Sequence, residues 1–180
     1  KRKALLLPFD TGFSIQSNTS IILSHLNDMI DVCNKLDIEI FALKFREIQA
    51  LNAYGFQEGS NTFNGHVINV FAGYGSLKDY LSEVDLVIGP FNSATSETIL
   101  TGKEYYTYHD YSIYKYNPNI YKTPSKILFI AYNARELETN IRKNRIFQTG
   151  YDQNTLVNVS ESFESASVNL DNMFLEIIKA

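Results

Sequence analysis

Apolar residues along this chain fall into two kinds of block, and the alternation of the two predicts its architecture. Short apolar runs at 4–7, 38–45, 66–72, 85–89, 105–108 and 127–131 each read as a strand, the run at 85–89 as one buried on both faces. Between them the period changes. Over 18–36, Ile22, Leu26, Met29, Ile30 and Cys33 recur at helical spacing on one side. Shorter helices are expected at 77–83, with Leu77, Tyr80 and Leu81 inward, at 94–100, and at 134–143, with Leu137 and Ile141 inward. A closing amphipathic helix is expected over 162–179. Strands that alternate with helices predict an α/β fold: a Rossmann-like three-layer domain whose mostly parallel sheet has about six strands. Its strand order should reverse near the first strand and open a ligand crevice there.

Two stretches interrupt this rhythm. Residues 47–65, after a short helix, are polar and punctuated by Gly55, Gly59-Ser60-Asn61 and Asn64-Gly65, so a surface excursion is expected. Residues 109–126 form a polar loop dense in tyrosine, with Tyr111, Tyr114, Tyr116 and Tyr121. Tyrosine offers a rigid apolar face and a hydrogen-bonding tip, which suits a sugar or protein contact as well as an ordinary half-buried surface.

Fold punctuation and candidate chemistry coincide at 85–110. Asp85-Leu86-Val87-Ile88-Gly89 is a strand stopped by Pro90, Phe91-Asn92-Ser93 is a turn, and a helix follows from Ala94 to Leu100. Ser93 or Thr95 is the expected N-cap, and Gly102 the left-handed stop. Ser93, Ala94, Thr95 and Ser96 are small, so the unpaired amides of the first helical turn can approach a phosphate, aided by the dipole's roughly +0.5 charge. Glu97 comes next. It can accept hydrogen bonds from sugar hydroxyls, or it can simply be an acid favoured by the dipole.

This run, from Asp85 through Gly89 and then Ser93-Ala94-Thr95-Ser96-Glu97-Thr98-Ile99-Leu100-Thr101-Gly102-Lys103, resembles the nucleotide-sugar-binding half of GT-B glycosyltransferases, particularly those of bacterial surface-polysaccharide synthesis. The resemblance implies that Glu97 binds the donor ribose and that Ser93, Ala94, Thr95 and Ser96 face its phosphates. It further implies a glycine turn near Gly12 and Ser14 with a second helix start at Ser17, Asn18 and Thr19, a basic residue at Lys44, and base contacts from Phe71, Ala72 and Tyr74. From the residues alone, the first of these is equally a plain capped βα turn, Lys44 equally a snorkelling strand-end lysine, and Phe71 with Tyr74 a hydrophobic strand end. Lys103-Glu104 departs from the family pattern, where proline or an apolar residue is commoner. On the same resemblance the chain is the C-terminal half of a longer two-domain enzyme. The glycan acceptor and the general base would then belong to the N-terminal domain.

Composition narrows the partners. At 180 residues the chain suits a single domain with one sizeable core, and a net charge of -4 without basic clusters argues against nucleic acid. No apolar run approaches the roughly 20 residues of a membrane span, which leaves peripheral membrane association of the whole enzyme open. A lone Cys33 excludes an intramolecular disulfide and makes a reducing cytoplasm the simplest compartment. There is no Asp-x-Asp motif, phosphate-binding lysine loop, zinc spacing or nucleophile elbow, so no metal or cofactor is expected beyond the nucleotide sugar itself as substrate. Of the three histidines, His25 is expected at the surface of the first helix, His66 is scattered from any motif, and His109 is the one to test as a phosphate donor. Two rivals stand beside the transferase: a nucleotide-sugar 2-epimerase, and a non-catalytic interaction domain that binds through the tyrosine loop.

Overall fold

The computed structural model describes residues 1–8, 19–46, 48–73, 77–90, 93–108 and 129–146, all within one compact unit, Lys1–Ile146. In chain order the elements are β1 (Lys3–Leu6), α1 (Thr19–Lys35), β2 (Glu39–Lys44), α2 (Ile48–Ala53), β3 (Gly59–Phe63), β4 (His66–Phe71), α3 (Lys78–Leu81), β5 (Leu86–Gly89), α4 (Ser93–Leu100), β6 (Glu104–Tyr108), β7 (Ile130–Ala131) and α5 (Ala134–Arg142). The helix expected over 162–179 and the tyrosine loop lie outside the described residues.

Among the described residues seven strands form one sheet in the order β3-β4-β2-β1-β5-β6-β7. β3 is antiparallel to β4, and the other neighbours pair in parallel. The expected α/β class and mostly parallel sheet are therefore present. The chain works outward from β1 through β2 to β4, then returns to the other side of β1 with β5. Strand order thus reverses between β1 and β5, and their carboxyl ends mark a topological switch point.

The extra strand, β3, comes from the stretch expected to be a surface excursion. Asn64 and Gly65 both have left-handed backbones, with φ of 49° and 80°, between the paired residues Phe63 and His66. That is the two-residue hairpin turn for which Asn-Gly is the strongest local cue. Residues read as breakers were joining two strands. Asn61 steadies the entry to β3 by accepting from Gln57 N at 3.0 Å and donating to Gln57 O at 2.6 Å.

Alternation along the central strands builds a core on each face of the sheet. Ala4, Leu6, Leu86, Ile88, Tyr106 and Tyr108 meet α1 and α5, whose Leu26, Met29, Cys33, Leu137 and Ile141 are buried with them. Leu5, Leu7, Val87 and Tyr105 turn to the opposite side, toward Leu77 and Leu81 of the α3 region and Ala94 and Ile99 of α4. Burial on both faces is why these strands read as continuous apolar runs. Among the described residues no helix is long and apolar enough to cross a membrane.

His25 corrects an expectation. It is fully buried, its ring stacked on Tyr108 with centroids 4.4 Å apart, and its Nε2 lies 3.3 Å from Tyr108 O. The phenol of Tyr108 donates to Asp28 Oδ2 at 2.6 Å. Position 25 lies one helical turn from both Ile22 and Met29, on the stripe that faces the sheet. Spacing therefore placed it inside; reading it as a polar residue placed it wrongly.

Candidate functional site

The switch point is built from backbone in close contact. β1 and β5 pair from Ala4↔Leu86 to Leu6↔Ile88, and Leu7 N continues the ladder to Ile88 O at 2.8 Å. At the end of β5, a Cβ on Gly89 would lie 2.7 Å from Leu7 Cβ and 3.0 Å from the Tyr105 hydroxyl. Glycine is required there by close approach, since its φ is not in the left-handed region. Pro90 then ends the strand, and its carbonyl accepts a buried hydrogen bond from Tyr105 OH at 2.6 Å. Chain direction at the mouth of the switch point is thereby held from beneath by β6.

α4 starts at Ser93, immediately after this turn, and is eight residues long. It stops as its sequence implies: Gly102 has φ of 73°, its amide bonds to Ile99 O at 2.9 Å, and Lys103 N reaches Thr98 O at 3.3 Å. Inside the helix, Thr98 is fully buried and donates to Ala94 O at 2.7 Å. Thr95 is buried as well, at 1% exposure. Its side chain faces the protein. Glu97 is half-buried, neither sealed in the core nor fully in solvent. The backbones of Ser93, Ala94, Thr95 and Ser96 form the opening turn of α4.

On the other side of β1, Lys44 ends β2 at 8% exposure. Its Nζ donates to the carbonyls of Phe45 at 2.9 Å and Gly73 at 2.5 Å, and stands 5.7 Å from the centre of the Tyr80 ring. Burial lowers its pKa, with Glu58 opposing that shift. Neither earlier reading describes it fully: the ammonium neither snorkels into water nor stands ready for a phosphate, because two of its donors serve backbone carbonyls. Phe71, at the end of β4, is half-buried with its ring 5.2 Å from that of Tyr80, and Ala72 packs against the α1-side core. Gly12, Ser14, Ser17, Asn18, Tyr74 and His109 lie outside the described residues.

The structure thus brings Lys44, Phe71 and the start of α4 at Ala94 and Thr95 to the carboxyl end of one sheet, with Glu97 further along the helix. A hollow of about 360 Å³ lies at the opposite end, lined by Arg2, Leu36, Asp37, Ile38, Ile141 and Arg142. Both of its guanidiniums are already paired, Arg2 with Glu104 and Arg142 with Glu138. Sequence reasoning missed Glu58, whose Oε1 accepts from Ala72 N at 3.2 Å. Nothing local marked it, because its partner is fourteen residues away across the β3–β4 hairpin. No protein-family model, curated protein or solved structure matches the chain.

Proposed function

We propose that the carboxyl end of this sheet binds a nucleotide sugar, and that the chain is the Rossmann-like donor half of a GT-B-type glycosyltransferase. The reaction is metal-independent transfer of a sugar to a hydroxyl of a surface glycan in the cytoplasm. One observation carries the reading: an eight-residue helix opens directly after β5, at the place where strand order reverses between β1 and β5. Open α/β sheets bind ligands at that position, and a helix start adds amides and a dipole suited to phosphate.

In this reading the amides of Ser93 to Ser96 face the diphosphate. As the glycosidic bond to the leaving phosphate breaks, negative charge grows on the phosphate oxygens, and fixed amides stabilise it without reorganising. Glu97 holds the ribose hydroxyls. The attacking hydroxyl and its general base belong to another domain, so the 180-residue chain binds nucleotide weakly and does not transfer sugar. Titration of the isotope-labelled protein with UDP, GDP and ADP should move the amides of Ser93 to Glu97, and Glu97→Ala should weaken the effect. Nucleotides that leave those amides unmoved would remove the proposal and favour an interaction domain. Isomerisation of a nucleotide sugar without acceptor would favour the epimerase.

A further inference from the structure

Among the described residues β3 is an edge of the sheet. The two-residue turn at Asn64-Gly65 closes on the pair Phe63↔His66, and a closing pair of this kind exchanges both main-chain hydrogen bonds. Bonding then alternates along the ladder. Phe63, Asn61 and Gly59 spend their amides and carbonyls on β4, while Ser60 and Thr62 turn theirs outward, where no described residue meets them. The side chains of Ser60 and Thr62 are exposed, as are Asn69 and Val67 across from them on β4, Val67 at 75%. Edge strands are usually protected from pairing by a lysine, a proline or a bulge. Gly59-Ser60-Asn61-Thr62-Phe63 has no charge and no proline, and its register against β4 is unbroken. The opposite edge, β7, is two residues long and offers far less. β3 is also braced in shape: Asn64 donates to Asn27 Oδ1, and Asn34 Nδ2 lies 3.2 Å from His66 Nε2, so α1 holds the hairpin from both sides of its turn.

We propose that β3 pairs with β3 of a second copy of this chain, antiparallel about a two-fold axis at Asn61, so that one sheet runs through both copies. The proposal goes beyond the nucleotide reading and does not rest on it. In this register Ser60 lies opposite the partner's Thr62 and Thr62 opposite the partner's Ser60. Each of these pairs exchanges both bonds, so about four hydrogen bonds satisfy every outward group of the two strands. Asn61 then faces its own copy at the non-bonded position that the alternation requires. A slip of one residue would set outward groups against inward ones, and a slip of two would lose one of the pairs. Side chains agree with the same register. Serine and threonine hydroxyls can bond across the strands, and Glu58 falls opposite the partner's Asn64, so no like charges meet. The small neutral side chains provide no charge pattern for choosing a foreign peptide, whereas the strand fits itself by symmetry.

The contact is small, so pairing should be weak and concentration-dependent. Sedimentation equilibrium of the 180-residue chain should show the mass rising from one copy toward two as concentration increases. Ser60→Pro removes an outward N–H, the one kind of donor an edge strand can lose without losing its ladder, and should weaken pairing about tenfold or more with little change in melting. Should that variant fail to fold, charged variants test the register by themselves. A chain carrying Ser60→Lys and Thr62→Lys sets like charges opposite one another and should stay single alone, yet pair with a chain carrying Ser60→Glu and Thr62→Glu. A chain that remains a single copy at every concentration overturns the proposal, whether the edge is covered by another part of the chain or left open. A dimer that the substitutions at 60 and 62 do not weaken is formed elsewhere and overturns it too.

Discussion

The two ends of the sheet use their polar residues in opposite ways. At the amino end, charged and hydrogen-bonding side chains are spent on one another. Lys1 pairs with Asp37 at 2.6 Å, Lys3 N donates to Asp85 Oδ2 at 2.8 Å, and Arg2 pairs with Glu104. The Tyr106 hydroxyl stands 2.8 Å from Glu104 and 2.9 Å from Asn144, and burial together with Glu104 pushes its pKa up. At the carboxyl end the chain is held mainly by main-chain contacts and tight packing: Gly89 on Leu7, Tyr105 under Pro90, and Lys44 and Glu58 on the β4 end. A surface that has already satisfied its charges has little left for a ligand. The end secured through its backbone is the one where α4 starts, beside the switch point.

Substitutions at the two ends should therefore separate stability from binding. The largest effect is expected for Gly89→Ala, which must displace Leu7 or the Tyr105 hydroxyl and should cost about 1–3 kcal/mol. Denaturant melts would show it, and nucleotide affinity should fall with it because the turn into α4 shifts. Retention of full stability would mean that the close approach at the switch point is not enforced. Glu97→Ala comes next, with about a tenfold loss of nucleoside diphosphate affinity, roughly 1.4 kcal/mol, and little change in melting. Calorimetric titration that finds unchanged affinity would remove Glu97 from the site.

Tyr106→Phe probes the amino end. Loss of its contacts to Glu104 and Asn144 should cost about 0.5–1.5 kcal/mol of stability and nothing in nucleotide affinity. A drop in affinity there would show that the ends are coupled. Asp37→Asn should have the smallest effect. The Lys1 pair is exposed and screened by solvent, so the change should stay within the range of measurement error, and asparagine tolerates the φ of 55° at that position. A loss beyond that range in a urea titration would show that the exposed pair does more than its geometry allows.

Local signals made much of the fold legible. The period of α1, the apolar runs of β1, β5 and β6, the stop at Gly102 and the inward Leu137 and Ile141 all follow from residues a few positions apart. Asn64-Gly65 carried an equally local cue for β3, misread because turn residues also punctuate loops. His25 was misassigned because a helical stripe and a polar side chain gave opposing answers, and stacking on Tyr108 decided between them.

Local pattern by itself determined that this chain alternates strands with helices and that a small-residue helix start follows Gly89-Pro90, because periodicity and turn chemistry act between near neighbours. Only tertiary structure decided which strand ends meet. The order that sets β1 beside β5, the approach of Gly89 to Leu7, the inward turn of Thr95 and the hold of Lys44 and Glu58 on the β4 end depend on partners distant in sequence. Contacts of that kind form when apolar faces are buried against each other, and no short window of residues records them.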